Sequence, residues 1–332
     1  MRVSSTTKSR YYRYAAIVLL AVFLVSFSLV AITLFERNYG KFPVETTAEQ
    51  YVEHNGVKYE LRKNVETFIV IGLDKMSDYD GTSDSYNNDK QADFIMLFVF
   101  DNNMKTVTPI HINRDTIAKM NVLGLNGNPV GSVTKQIALS FNYGNGEKTS
   151  CRNTLDAVSE LLHGMKINHY MSVTMDGVPV YNDLVGGVTL EVLDDFSGID
   201  DTLVKGQTVT LMGKQALTYV RTREGLENNT NAARMIRQKQ YLNALRDKTV
   251  EKLEGDAEFA VKLTAKMSDY IISDRLVTQM QELLNKFSNY TFEETLELQG
   301  ESKVGEKFME FYPDEDSITD VVVKAFYYVS DK

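Results

Sequence analysis

Hydrophobic positions along the chain fall into three textures. The first is an uncharged run, Ala15–Leu34, rich in Val, Leu, Ile and Phe. About 20 apolar residues cross a bilayer core as a helix, so residues 15–35 are expected to form a transmembrane anchor. The second texture is short and continuous. Thr67–Leu73 is apolar throughout and stops at Asp74; Phe94–Phe100 follows, with Asp93 at its entrance. Such runs mark strands buried on both faces of a sheet. Asp101-Asn102-Asn103 is turn composition, so the next run, Thr106–Ile112, is expected to complete a hairpin before Asn113-Arg114-Asp115-Thr116. Tyr170–Met175 and Val188–Leu193 read as further short strands.

The third texture has helical spacing. Leu155, Val158, Leu161 and Leu162 predict a helix over 154–162. Gly177–Leu184 reads as a helix stopped by Gly186-Gly187, Gly213–Val220 as a short helix leading into Arg221, and Asn231 to about Leu253 as a long one. A helix around Val133–Phe141 is also expected. Leu276, Met280, Leu283, Leu284 and Phe287 form a stripe capped by Ser273 or Asp274. Ile318, Val321, Val322, Ala325, Phe326 and Val329 form another, capped by Ser317 or Asp316; between them Tyr290, Phe292, Leu296 and Leu298 share a strand's parity. The polar segment 36–64 reads as a linker with a short helix, and Lys75–Lys90 as a loop. Residues 65–332 then form one α/β domain behind a tail (1–14), an anchor (15–35) and a linker (36–64).

Charge fixes the expected orientation. The tail holds Arg2, Lys8, Arg10 and Arg13 and no acid, which keeps it cytoplasmic and the domain outside the cell. A cleaved signal peptide is the rival, but its apolar core would be shorter and followed by a small-x-small site. The net charge of −9 argues against nonspecific nucleic-acid binding. A single cysteine, Cys151, excludes an intrachain disulfide and a Cys-based zinc site, and His54, His111, His163 and His169 show no metal-ligand spacing.

In this acidic chain, arginine is concentrated in one stretch: Arg221, Arg223, Arg234 and Arg237. Arg221 and Arg223 share a face if extended, and Arg234 and Arg237 share one on a helix. Guanidinium forks suit phosphate; a solvated basic face is the plain alternative. No nucleophile elbow, P-loop, dinucleotide fingerprint or metalloprotease helix is present. Asp74 and Asp93, at neighbouring strand ends, suit joint binding of Mg²⁺ with substrate phosphates.

The runs Ile71-Gly72-Leu73-Asp74, Gln91-Ala92-Asp93, Asn113-Arg114-Asp115-Thr116, Val220-Arg221-Thr222-Arg223 and Ala233-Arg234-Met235-Ile236-Arg237-Gln238 occur in this order. Together they resemble the LytR-CpsA-Psr family of membrane-anchored cell-wall proteins. The resemblance implies a central mixed β-sheet covered by helices on both faces. It implies transfer of a glycopolymer from a polyprenyl-pyrophosphate carrier onto peptidoglycan, with the protein held in the membrane lipid. By position, Asp74 and Asp93 would hold Mg²⁺. Arg114, Arg221, Arg223 and Arg234 would act on the pyrophosphate, with Arg237 and Gln238 as further substrate contacts. The apolar tail needs a tunnel, for which Leu139, Phe141, Val158 and Leu162 are the expected lining. The chain departs from the family's pattern at three places. Gln91 stands where a basic residue is usual, Asn113 where proline is usual, and Asn231 where an acid is usual. An amide takes no proton, so Glu224 or Glu227 would have to substitute. Two alternatives therefore stand beside transfer: a polyprenyl-pyrophosphate-binding regulator or scaffold, and a simple pyrophosphatase.

Overall fold

The computed structural model of the protein describes residues 48–74, 90–306 and 308–330. The tail, the anchor, residues 36–47 of the linker and residues 75–89 of the polar loop lie outside the described residues. No helix among the described residues is long and apolar enough to cross a membrane.

Seven strands form the central sheet: β1 (Val65–Leu73), β2 (Ala92–Asp101), β3 (Thr106–Ile112), β4 (His169–Val173), β5 (Ile271–Ser273), β6 (Thr291–Phe292) and β7 (Leu296–Glu297). Their order is β5-β4-β1-β2-β3-β6, with β7 also on β3. The sheet is mixed. β1, β2 and β3 run antiparallel in turn, whereas β4 is parallel to β1 and β6 and β7 are parallel to β3. The β2–β3 turn is closed by Asp101, whose Oδ1 accepts the backbone N–H of Asn103 (2.8 Å) and Met104 (2.9 Å).

Seven α-helices are described: α1 (Lys148–Leu161), α2 (Gly177–Leu184), α3 (Lys214–Arg221), α4 (Asn231–Gly255), α5 (Phe259–Met267), α6 (Val277–Asn289) and α7 (Glu315–Phe326). They cover both faces. Alternation along the strands divides the side chains. Ile69, Ile71, Ile95, Leu97 and Ile110 join the core with Val158 of α1 and Val322 of α7. Phe68, Val70, Phe98 and Met171 point to the opposite face, under α6 and the remaining helices.

Several elements differ from expectation. The segment expected to hold a helix at 133–141 instead forms a hairpin, Ile117–Leu123 with Pro129–Gln136, then a single 3₁₀ turn at Ile137–Ser140. Val133, Ile137 and Phe141 are helically spaced, but strand pairing of Met120 with Val133 prevails. The linker's second half forms a hairpin, Tyr51–His54 with Val57–Leu61, rather than a helix. Its second strand also pairs with Tyr327–Val329, so Val329 belongs to a strand and not to the last helical stripe. Helix α1 starts at Lys148, ahead of the apolar stripe, because buried Ser150, Cys151 and Asn153 extend its inner face. α6 is capped at Leu276. Ser273 and Asp274 serve β4 instead, through Tyr170 O and Tyr170 N. α7 is capped at Asp314, which leaves Asp316 in its first turn.

Candidate functional site

The site begins with an irregularity. Gly72 faces Phe94 across the β1–β2 ladder, but Leu73 faces Ala92, which leaves Asp93 as an extra residue. Such a bulge re-aims a side chain. A Cβ on Gly72 would stand 2.8 Å from Phe94 Cβ, so the close approach needs glycine. Asp93 thereby faces a cavity. It accepts from Arg114, just past the end of β3, and from Arg234 Nη1 at 3.4 Å. Arg114 also donates to Gln91 Oε1 at 2.7 Å.

Arg234 comes from the first turn of α4, whose start is fixed by the Thr230 hydroxyl accepting Ala233 N–H at 3.2 Å. Its Nε and Nη2 both donate to Asn231 Oδ1, at 3.1 and 2.6 Å. Asn231 Nδ2 donates to Asn113 Oδ1 at 2.7 Å. The guanidinium is buried. Burial first, then repulsion from Arg223 and Arg237, lowers its proton affinity to about 10 against the pull of Asp115. Arg114 is lowered in the same direction by burial and by Arg234. Burial raises Asp115, although Arg114, Arg234 and Arg223 oppose the shift. Three guanidiniums crowd together beside Asp93, Asp115 and Asp74, and guanidinium forks suit an incoming phosphate.

The structure therefore brings Asp93, Arg114, Arg223 and Arg234 into one electrostatic cluster, with Asp74 close enough to act on Arg114. Arg221 is the last residue of α3 rather than part of an extended segment; it is exposed and borders the cavity. Gln238 borders the same cavity and donates to Val220 O at 3.3 Å. Arg237 is turned elsewhere. It is 0% exposed, paired with Asp194, bonded to Thr222 O and stacked 5.4 Å from the Phe196 ring. It braces the backbone between Arg221 and Arg223. Glu224 is exposed, and Glu227 is exposed beside Lys205.

The cavity has a volume of about 330 Å³ and runs from the cluster between the sheet and the helices. Val70, Phe98, Met171, Val178 and Leu245 are among its walls. On α4 it extends from Arg234 to Val250, a rise of about 24 Å. The lining expected from the sequence is corrected. Phe141, Val158 and Leu162 are 0% exposed in the core on the opposite face, and Leu139 packs against that core. Sequence reasoning also passed over Gln91, Asn113 and Asp115 as site groups. Asn113 carried a signal, since an Asn two residues before a backbone donor makes an Asx turn; its Oδ1 accepts Asp115 N–H at 2.9 Å.

The donor set fits Mg²⁺, which takes oxygens from one or two carboxylates plus phosphate. Asp74 spends one oxygen on Gln91 N–H at 2.8 Å, and among the described residues its other oxygen accepts no hydrogen bond. Asp93 is held by two guanidiniums and keeps further lone pairs. Among the described residues, no three His, Cys, Asp or Glu side chains gather into a site built by protein alone.

A family model described as the LytR_cpsA_psr family matches residues 38–324. Among solved structures, the chain is similar to Bacillus subtilis TagV, with 25% identity and a TM-score of 0.58 over 80% of this chain and 97% of that one. B. subtilis TagT bound to LIIa-WTA is 18% identical, with a TM-score of 0.59 over 79% of this chain and 90% of that one. Streptococcus agalactiae gbs0355 is 17% identical, with a TM-score of 0.64 over 79% and 86%. The latter two show a shared fold. No curated protein matches by sequence.

Proposed function

The chain belongs to the LytR-CpsA-Psr family, and from that premise we propose that it is a cell-wall glycopolymer transferase that takes its donor from a polyprenyl-pyrophosphate carrier. The observation that carries this reading is the apolar cavity with Asp93, Arg221, Arg234 and Gln238 at one end. An amphiphile with a long apolar tail and a diphosphate head matches both parts at once.

In this reading the prenyl tail lies between Val70 and Phe98 of the sheet and Val178 and Leu245 of the helices. The diphosphate meets Arg114, Arg223 and Arg234. An acceptor hydroxyl of peptidoglycan attacks the phosphorus that bears the glycan, and the bond from that phosphorus to the bridging oxygen breaks. Polyprenyl phosphate leaves with the electron pair, and the hydroxyl proton passes to a phosphate oxygen or to water. The guanidiniums stabilise charge on the bridging and terminal oxygens, and positioning with electrostatics supplies most of such catalysis. Asp74 and Asp93 would hold Mg²⁺, which would supply further neutralisation of the diphosphate. Arg237 acts through Thr222, as a positioning residue for the loop that carries Arg223. We place the domain outside the cell behind the expected anchor at 15–35.

The test is incubation of the purified chain with a polyprenyl-pyrophosphate-linked glycan, peptidoglycan and Mg²⁺. Release of polyprenyl phosphate with labelled wall is the expected result. Asp74→Ala and Asp93→Ala are each expected to abolish Mg²⁺-dependent donor binding; unchanged binding in both removes them from the site. A second reading is favoured by Asn231, an amide that takes no proton: the chain binds the carrier without turnover, as a regulator or scaffold. Tight donor binding with no release, and no gain on Asn231→Asp, would select it.

A further inference from the structure

We infer that the cavity has a second opening, a side window between α4 and the edge of the sheet, through which the far end of a long isoprenoid chain leaves. The inference rests on the reading of the cavity as a prenyl-chain site. Among the described residues of its walls, two are exposed: Arg221 at the mouth, and Asn243 on α4. A side chain that both lines a cavity and meets solvent marks an opening. Asn243 lies about 14 Å along the helix from Arg234. The second opening is therefore well removed from the mouth, and it comes before the cavity's end at Val250.

The window has a frame. Lys239, Asn243 and Arg246 recur at helical spacing, so they share one flank of α4. That flank faces the sheet edge, where β6 and β7 each pair with β3 through only two residues. Helix and edge meet there through long side chains. Lys239 Nζ donates to Glu297 Oε1 at 3.2 Å and to Thr295 O at 3.5 Å. The Arg246 guanidinium lies 4.9 Å from the centre of the Phe292 ring. Lys239 and Arg246 are thus two bars, about 10 Å apart along α4, with Asn243 between them. The inner side is apolar. Phe292 meets Phe98 edge-on, with ring centres 6.4 Å apart, and both line the cavity. The stems of Lys and Arg are themselves apolar. One continuous greasy path runs from Phe98 past Phe292 to the surface.

Neither bar is costly to move. Partly exposed ion pairs and cation–π contacts contribute little, and such side chains change rotamer within nanoseconds. A short chain ends inside the cavity and leaves the bars in place. A long one passes between them. The cavity therefore sets no upper limit on chain length: the phosphate end is held at the mouth, and surplus chain emerges beside Asn243.

The experiment uses the purified full chain in detergent with geranyl phosphate and decaprenyl phosphate, each carrying a diazirine at the end remote from the phosphate. After irradiation, attachment sites are mapped by mass spectrometry. The short probe is expected to label the interior, at Val70 or Met171. The long probe is expected to label Asn243, Arg246 or residues 292–295. Labelling by the long probe confined to Leu263, Met280 and Leu284 would mean that the chain coils inside, and would overturn the window. Asn243→Trp fills the gap between the bars. It is expected to weaken binding of the long phosphate about tenfold while changing the short one less than about twofold; equal weakening of both also overturns the window. A wild type that binds neither prenyl phosphate sinks the reading of the cavity itself. Binding of both with the label kept inside leaves that reading standing and removes the window alone.

Discussion

On one face of the central sheet, Ile69, Ile71, Ile95 and Leu97 are fully buried against α1 and α7. On the other face, Val70, Phe94 and Phe98 from the same strands are only half-buried and border the cavity. The residue types are alike; what differs is the cover. Two helices close the first face with side chains that fill it. Five helices arch over the second and leave a channel. One face supplies stability, and the other accepts a ligand of the same character as its walls. The polar features obey the same division, because Asp93, Arg234 and Arg237 all belong to the hollow side.

The largest effect should come from the brace. Arg237→Ala strands Asp194 and frees Thr222 O; removing one partner of a buried pair costs about 3–5 kcal/mol. Urea unfolding is the measurement, and a loss near zero would place the hollow side's stability elsewhere. Arg234→Ala should spare the fold more but reduce transfer by about 10²–10³, equivalent to about 2.7–4 kcal/mol, as read from polyprenyl phosphate release. The packed face is challenged by Ile71→Ala, expected to cost about 2–5 kcal/mol. Val70→Ala enlarges a space that already exists and should cost less. Val70→Phe should leave stability nearly unchanged while weakening binding of a prenyl phosphate. Equal costs at positions 70 and 71 would dissolve the contrast between faces.

The most gradual effect is a pH dependence, spread over several pH units. His111 is buried on β3 beside Phe94, and its Nδ1 has no hydrogen-bond partner among the described residues. Burial first, then Lys239 and Arg234, pulls its proton affinity down to about 3. The unfolded chain takes that proton near pH 6.5. Between these values the unfolded state binds more protons, so stability falls as pH falls, approaching about 1.4 kcal/mol per pH unit. Above pH 6.5 the contribution is complete. His111→Phe should flatten the slope between pH 7 and 5 relative to wild type; an unchanged slope would show that His111 titrates normally.

The strands of the central sheet were legible because continuous apolar runs have few other uses. The division between faces was not. A run such as Thr67–Leu73 does not alternate, so it shows that both sides are covered but not which side is filled. That is why the tunnel was assigned to Phe141, Val158 and Leu162 instead of the opposite face. Asp93, Arg114 and Arg234 were legible as partners through strand ends and the family's order. Arg237 was grouped with them by helical spacing, but its environment is set by Asp194, far away in sequence. The hairpin at 117–136 was hidden because Val133, Ile137 and Phe141 share helical spacing, whereas the pairing that prevails is local to the two strands.

The strand Tyr51–His54 has a mechanical consequence. Its only strand partner among the described residues is Val57–Leu61, through four residue pairs, and that strand is tied in turn to Tyr327–Val329; beyond the pairing, His54 is hydrogen-bonded to Asp320 of α7 and Val52 packs on the core. Tension applied ahead of Tyr51 loads the open end of a hairpin, where Tyr51 faces Glu60. Hairpins loaded there open pair by pair. The first strand is therefore expected to act as a shock absorber, yielding before load reaches β1 and the bulge that aims Asp93. Single-molecule pulling from residue 48 should show this as a small early extension at low force, with the rest of the domain unfolding later and together.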